Sequence, residues 1–168
     1  MGDVKNLQSR EAVEKLKELV NEVNTCMFCT YSGKNELQTR PMASLKIDEA
    51  GNIWFMSDKT SKKNSEILSN DKVDLLYSHP SKDNFLSVKG SAEVMPDNKM
   101  VDELWTPIAK VWFTEGKDDP RISVIKVTPD EAYYWDTKHG RMVEMFKMLT
   151  SLVTGKTMDD GVEGTIKI

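Results

Sequence analysis

The sequence lacks any apolar run long enough to cross a bilayer, and its N-terminal stretch is charged throughout, without the apolar core of a signal peptide. We therefore expect a cytoplasmic protein. It also lacks a concentrated basic stripe, since lysines and arginines occur only in short clusters and the formal net charge is −4. A nucleic-acid interface needs such a stripe. The composition argues against both membrane and nucleic acid as partners.

Cysteine and histidine are scarce, with two of each in 168 residues. Cys26 and Cys29 form a C-x-x-C pair, but a zinc site would need a second pair, and none is present. Both lie in the strand-like run TCMFCTY, where a spacing of three puts their side chains on opposite faces. We interpret them as two core thiols, with redox chemistry as the alternative. His79 and His139 lie in polar loops, so we predict no metal site and leave the catalytic residues unassigned.

Helical spacing of apolar residues predicts helices at both ends of the chain and two shorter ones between. They cover about residues 9–24, 61–69, 98–109 and 141–154. Ser9 is a plausible N-cap for the first of them. No G-x-G-x-x-G or P-loop motif accompanies these segments, so a doubly wound nucleotide-binding fold is not expected.

Six strand-like runs lie between the terminal helices, most of them separated by short turns. They are TCMFCTY, LQTRPMASLKID, NIWFMSD, KVDLLYSH, FLSVKGSAEVM and ISVIKVTPDEAYYWD. Strands in such succession predict a mainly β fold, a six-stranded antiparallel barrel with flanking helices. We expect residues 1–168 to form a single domain.

The stretch IWFMSDKTSKKNSEIL leads from a predicted strand directly into a predicted helix. A helix start carries partial positive charge and favours anions, yet Lys62 and Lys63 lie there beside the hydroxyls of Thr60 and Ser61. Free N–H groups, hydroxyls and ammonium groups are together the donors that bind a phosphate. A bound anion would resolve the charge conflict. The alternative is a pair of solvated surface lysines.

Two further features of the sequence bear on this hypothesis. Arg40, in TRPMAS, lies on the neighbouring strand of the same hairpin and would add a cation near Ser57 and Ser61, unless it is only an edge-strand charge. Trp112 and Phe113, in KVWFTEGKDDP, lie next to a turn. Large apolar side chains in such a place either pack in the core or a dimer interface, or contact a planar ligand.

The order and spacing of several motifs make the chain similar to the general stress protein 26 branch of the pyridoxamine 5′-phosphate oxidase-like, FMN-binding split-barrel proteins. The motifs are TRPMASL, GNIWFMSDKTSKKNSEIL, VKGSAEVM, ELWTP with VWFTEGKDDP, ISVIKVTPDEAYYWD and the late LVTGKT. The resemblance covers nearly the whole chain. It implies a split barrel that assembles as a homodimer, with FMN at the subunit interface.

The resemblance also implies which residues hold the FMN phosphate. Arg40 and the element Ser61-Lys62-Lys63 match the positions that bind it in the oxidases. Lys62 replaces an Arg there, which keeps the charge but loses the bidentate fork.

For the rest of the flavin, the resemblance implies that the backbone of Met42 and Ala43 faces the ring. Met56 and Ser57 would run along the ring and ribityl chain, and the partner subunit would add Trp112. The complete predicted FMN-binding set is Arg40, Met42, Ala43, Met56, Ser57, Thr60, Ser61, Lys62, Lys63 and Trp112.

The chain departs from the oxidases at the positions that bind their vitamin substrate. They use an Arg-x-His element late in the chain, whereas His139 and Arg141 occur here in reversed order. Lys46 lies one position from their substrate lysine, and one position in a strand flips the face. Pyridoxamine 5′-phosphate oxidation is thus disfavoured. Two functions stay open: an FMN-dependent oxidoreductase acting on an unidentified small substrate, or a non-catalytic flavin-binding or flavin-sequestering stress protein.

Overall fold

A computed structural model describes residues 3–4, 7–95, 99–137 and 161–167. Its helices and strands in chain order are β1 (Asp3–Val4), β2 (Leu7–Gln8), α1 (Ser9–Val23), β3 (Thr25–Tyr31), β4 (Leu37–Ala43), β5 (Lys46–Ile47), β6 (Ile53–Asp58), α2 (Lys62–Ser69), β7 (Lys72–Ser78), β8 (Phe85–Met95), α3 (Val101–Leu104), β9 (Ile122–Thr137) and β10 (Gly161–Lys167). Two 3-10 helices, Pro107–Val111 and Gly116–Asp118, lie between α3 and β9. The predicted C-terminal helix over 141–154, together with His139, Arg141 and the LVTGKT motif, lies outside the described residues.

Six long strands form an antiparallel ladder in the order β4-β3-β7-β8-β9-β6, and β6 also pairs with β5. Only Ser44 and Leu45 separate β4, at one end of the ladder, from β5, which pairs with β6 at the other end. The chain therefore crosses between the two ends there and closes the barrel. Strand β9 pairs with β6 through its first half and with β10 through its second half. The predicted mainly β fold with a six-stranded antiparallel barrel is confirmed.

The main core fills the barrel beneath α1. The apolar side of α1, including Leu16 and Val20, packs against inward-facing strand residues such as Phe28 and Leu75. Each such side chain contributes about 1.5–3 kcal/mol when fully buried. Asn24, with a positive φ of 60°, ends the helix, as an Asn can do at this position.

Both cysteines are buried on strand β3 and carry free thiols. Burial raises the pKa of Cys26 to about 12, and it also raises the pKa of Cys29. Reactive cysteines need a depressed pKa and access to solvent. The structure therefore agrees with the interpretation as core thiols and disfavours the redox alternative.

A second, smaller core lies at one end of β6 and β9, under the segment between β8 and β9. Leu104 and Phe113 of that segment pack with Trp54 of β6 and with Ile122 and Val124 of β9. The predicted helix over about 98–109 corresponds here to α3 and the first 3-10 helix. This packing fixes the segment that carries Trp112 beside the ends of β4 and β6.

Candidate functional site

A cavity of about 520 Å³ lies between the ends of β4 and β6, the start of α2, and the segment around the first 3-10 helix. Its walls are mainly apolar. Met42 also packs against the main core, and Met56 packs against the second one, so both are held firmly. Six of the ten predicted FMN-binding residues line this cavity: Met42, Ala43, Met56, Ser57, Lys63 and Trp112.

The other four predicted residues lie beside the cavity without lining it. Lys62 and Thr60 are exposed, and the backbone and hydroxyl of Thr60 donate to Asp58 Oδ1 at 2.8 and 2.7 Å, which shapes the turn before α2. Ser61 is the N-cap residue of α2, and its hydroxyl lies 3.2 Å from Ser57 Oγ. Arg40 lies half-buried behind α2. The structure thus separates the two neighbouring lysines, because only Lys63 points into the cavity.

A buried hydrogen-bond network fixes the start of α2 against the barrel. Asn64 is 3% exposed, its Oδ1 accepts from Ser57 Oγ at 2.8 Å, and its Nδ2 donates to Ser123 Oγ at 2.8 Å. Ser123 Oγ in turn donates to the carbonyl of Ser57 at 3.1 Å. Since Ser57 belongs to β6, Asn64 to α2 and Ser123 to β9, the network joins three elements. Such a satisfied network gives a site a single, rigid geometry.

Lys63 supplies a cation to the wall of the cavity. Within the described ranges, its ammonium group has no hydrogen-bonded or ion-paired partner. Partial burial, and then the charge of Arg40, lower the pKa of Lys63, so the two cations lie close enough to repel each other. A half-buried ammonium without a partner is unfavourable unless an anion is bound. This donor therefore fits an anionic group of a ligand.

Arg40 shares a face of β4 with Met42, two residues further along the strand. Its Nη1 donates to Thr30 Oγ1 at 2.5 Å and its Nη2 to Glu66 Oε2 at 2.8 Å. Thr30 Oγ1 donates to the same Glu66 oxygen at 2.6 Å, which closes a ring of three side chains. A guanidinium has five N–H donors, so three of those of Arg40 remain for another group.

Arg121 is a cavity residue that the sequence did not indicate. Its Nε and Nη2 donate to Asp119 at 3.1 and 2.8 Å, and Nη2 also donates to the carbonyl of Trp112 at 3.1 Å. Hydrogen bonds from Arg121 lower the pKa of the buried Asp119 to about 2. The guanidinium therefore anchors the Trp112 segment to the start of β9. No motif marks this pair, so nothing in the sequence signals it.

Apolar side chains project from the turn at the rim of the cavity. Ile108, Val111 and Trp112 are 70–71% exposed. The resemblance implied that Trp112 would come from a partner subunit, but in the single chain it already lines the same cavity as Met42 and Met56. Lys46 does not line the cavity and instead pairs with Glu103.

An antiparallel barrel of this topology, with an apolar cavity at its rim and Lys63 in the cavity wall, defines a split-barrel protein with a candidate small-molecule site. Over residues 11–159 the chain matches the family described as Pyridoxamine 5′-phosphate oxidase like, and it belongs to that family.

Three known proteins are similar to this chain in sequence or in fold. The protein bli-3 of Neurospora crassa is 22% identical over 156 residues, which span 87% of this chain and 75% of bli-3. A structure from Jannaschia sp. CCS1, described as a general stress protein 26, superimposes with a TM-score of 0.76 at 21% identity, covering 94% of this chain and 98% of the other. The general stress FMN/FAD binding protein of Xanthomonas citri has a TM-score of 0.65 at 28% identity, covering 76% and 89%.

The described residues contain neither a membrane-spanning helix nor a metal-binding cluster. None of the helices there is both long and apolar enough to span a membrane. Nor do three side chains of the His, Cys, Asp or Glu type gather anywhere in these ranges as a metal-binding group.

Proposed function

We propose that the cavity binds FMN, with the phosphate at Lys63 and the ring between Met42, Met56 and Trp112. The observation that carries the proposal is the ammonium of Lys63, which lines an apolar cavity of about 520 Å³ and has no hydrogen-bonded or ion-paired partner among the described residues. A flavin mononucleotide has the matching chemistry, since an apolar planar ring joins a polar chain that ends in a dianionic phosphate. The similarity to the Xanthomonas citri FMN/FAD binding protein supports the same ligand class.

Several residues would assist Lys63 in holding the phosphate. Ser61 offers a hydroxyl and the start of α2 offers backbone N–H groups, which favour an anion. Arg40 has three N–H donors beyond the two that bond to Thr30 and Glu66. Thr60 and Lys62 are exposed and would contribute only at long range.

We infer that the protein is an FMN-dependent oxidoreductase acting on an unidentified small substrate in the cytoplasm. The bound flavin would supply the redox chemistry, while the chain supplies binding, orientation and exclusion of water. Among the described cavity residues there is no nucleophile paired with a base, which leaves the chemistry to the cofactor. The second candidate is a non-catalytic flavin-binding stress protein. Turnover of NAD(P)H by the FMN-loaded protein above that of free FMN distinguishes the two.

We also propose that the protein acts as a homodimer with the flavin near the interface. Ile108, Val111 and Trp112 lie at the rim of the cavity and expose most of their apolar surface in the single chain. A second copy would cover them and would close the open side of the cavity at the same time.

The two adjacent lysines provide a matched test of FMN binding. Lys63→Ala removes the cavity ammonium, and a charged hydrogen bond is worth about 1.5–3 kcal/mol, so the Kd for FMN should rise by roughly 10- to 100-fold. Lys62→Ala makes the same charge change on an exposed neighbour and should alter the Kd less than about 3-fold. Titration by quenching of flavin fluorescence measures both.

Equal effects of the two substitutions would contradict the assignment of Lys63 and would favour a diffuse surface attraction. If the wild-type protein leaves flavin fluorescence unchanged at high micromolar concentration, the proposed function itself is wrong.

A further inference from the structure

Glu66 is an acidic residue placed among the cations of the candidate phosphate site. Its side chain is 5% exposed, and it lies one helical turn after Lys62 on α2. Although burial raises the pKa of Glu66, hydrogen bonds from Thr30 and Arg40 bring it below its ordinary value. The group is therefore a buried carboxylate that stays ionised at neutral pH.

The two carboxylate oxygens of Glu66 are used unequally. Oε2 accepts from Thr30 Oγ1 at 2.6 Å and from Arg40 Nη2 at 2.8 Å. Oε1 is also buried and has no hydrogen-bond partner among the described residues. The carbonyl oxygen of a glutamine could accept the same two hydrogen bonds from Thr30 and Arg40, without the added strength of an ionised acceptor. What the glutamate adds to this arrangement is its negative charge.

That charge acts on the cations nearest the proposed phosphate position. Glu66 interacts electrostatically with Arg40, Lys62 and Lys63. Without it, Arg40, Lys63 and the start of α2 would lie close together, with Asp58 as the other carboxylate that acts on Lys63. A carboxylate there offsets part of this positive charge, and it also repels a second anion placed beside the same cations.

We propose that Glu66 is a specificity-determining and positioning residue, which holds Arg40 in place and limits how strongly the site prefers a phosphate-bearing flavin over an uncharged one. This inference rests on the proposed FMN binding. The site would then hold FMN by its ring and chain as well as by its phosphate. It would release the cofactor more readily than a site with the same cations but without the carboxylate of Glu66.

Glu66→Gln separates charge from hydrogen bonding, because its carbonyl oxygen can accept both hydrogen bonds described for Glu66 Oε2, while the charge is removed and an amide NH2 replaces Oε1. The measurement is the Kd of FMN and of riboflavin, which lacks the phosphate, by fluorescence titration at fixed ionic strength. We expect the ratio of the riboflavin Kd to the FMN Kd to rise by about tenfold in Glu66→Gln, with the riboflavin Kd nearly unchanged. Glu131→Gln, the same change at an exposed position on β9, should leave the ratio at the wild-type value.

Two further variants guard against a trivial result. Glu66→Met serves as the second charge-removing variant if Glu66→Gln fails to fold. It replaces the carboxylate by an uncharged side chain of similar volume, and it should also raise the ratio of the riboflavin Kd to the FMN Kd. Thr30→Val loosens the hold on Arg40 while the charge remains, and should not raise it. An unchanged or lowered ratio in both charge-removing variants would overturn the inference while leaving FMN binding intact. Absence of wild-type binding to either flavin would instead refute the proposed function, and the inference with it.

Discussion

Asn64→Ala should weaken both the fold and the cofactor site, because Asn64 joins α2 to β6 and β9. The substitution removes a part-buried hydrogen bond of 3.2 Å from Ser61 and, as its main effect, two buried hydrogen bonds of 2.8 Å, one with Ser57 and one with Ser123. Each is worth a net 0.5–1.5 kcal/mol, or about 1–3 kcal/mol for the pair. Ser57 keeps Ser61 at 3.2 Å, and Ser123 keeps the carbonyl of Ser57, so no hydroxyl is left wholly unpaired. We therefore expect a loss near 2 kcal/mol.

Urea unfolding followed by tryptophan fluorescence measures this loss. With a urea dependence of roughly 2 kcal/mol per molar, typical for small proteins, the midpoint should fall by about 1 M. Ser65→Ala is the matched control, since Ser65 lies on the same helix, is exposed, and its hydroxyl donates to the carbonyl of Lys62. It should stay within about 0.5 kcal/mol of the wild type.

The same variant tests whether the network positions the site. Ser61 and Lys63 flank Asn64 at the start of α2, so loss of the network should raise the FMN Kd by roughly tenfold. A stability within 0.5 kcal/mol of the wild type would refute the energetic reasoning. Lower stability with unchanged FMN affinity would show that the network supports the barrel but does not organise the cofactor site.

Two further predictions concern pH and assembly. The folded-state pKa of Asp119 is about 2, below its ordinary 3.8, so its stabilising effect is complete above about pH 4 and is lost as the pH falls toward 2. As the pH is lowered from 5 to 2, the urea midpoint should therefore fall less steeply for Asp119→Asn than for the wild type. Equal slopes of midpoint against pH would show that Asp119 does not cause the loss of stability in acid. Light scattering of the FMN-loaded protein at micromolar concentration should give twice the mass of the chain, and a monomer mass would exclude the proposed dimer.

The barrel could be predicted from the sequence because its strands carry a local signal. Alternating burial in runs such as KVDLLYS, with short turns between runs, requires a sheet with one inner face. The sequence could not show how the long strand β9 pairs. Its first half pairs with β6, and its second half pairs with β10. That pairing depends on contacts between residues far apart in the chain.

The candidate site was only partly predictable, for a similar reason. The sequence places Lys62 and Lys63 equally at a helix start, but the rotation of α2 against the barrel decides that Lys63 enters the cavity and Lys62 faces solvent. In the sequence, Glu66 looks like an ordinary exposed glutamate of a helix. Its role becomes visible only in the fold, which places Thr30 and Arg40 beside it. Arg121 and Asp119 lie in a turn without any motif.

Strand β4 has a consequence for how this protein can change over time. It bends into β5 to complete the barrel, and the same strand supplies Arg40, Met42 and Ala43 to the candidate site. A substitution in β4 must preserve both the closure of the barrel and the shape of the candidate site, so few substitutions should be tolerated there. The segment around Trp112 rests on the barrel without closing it. New ligand preferences should therefore arise first in that segment, while β4 changes slowly.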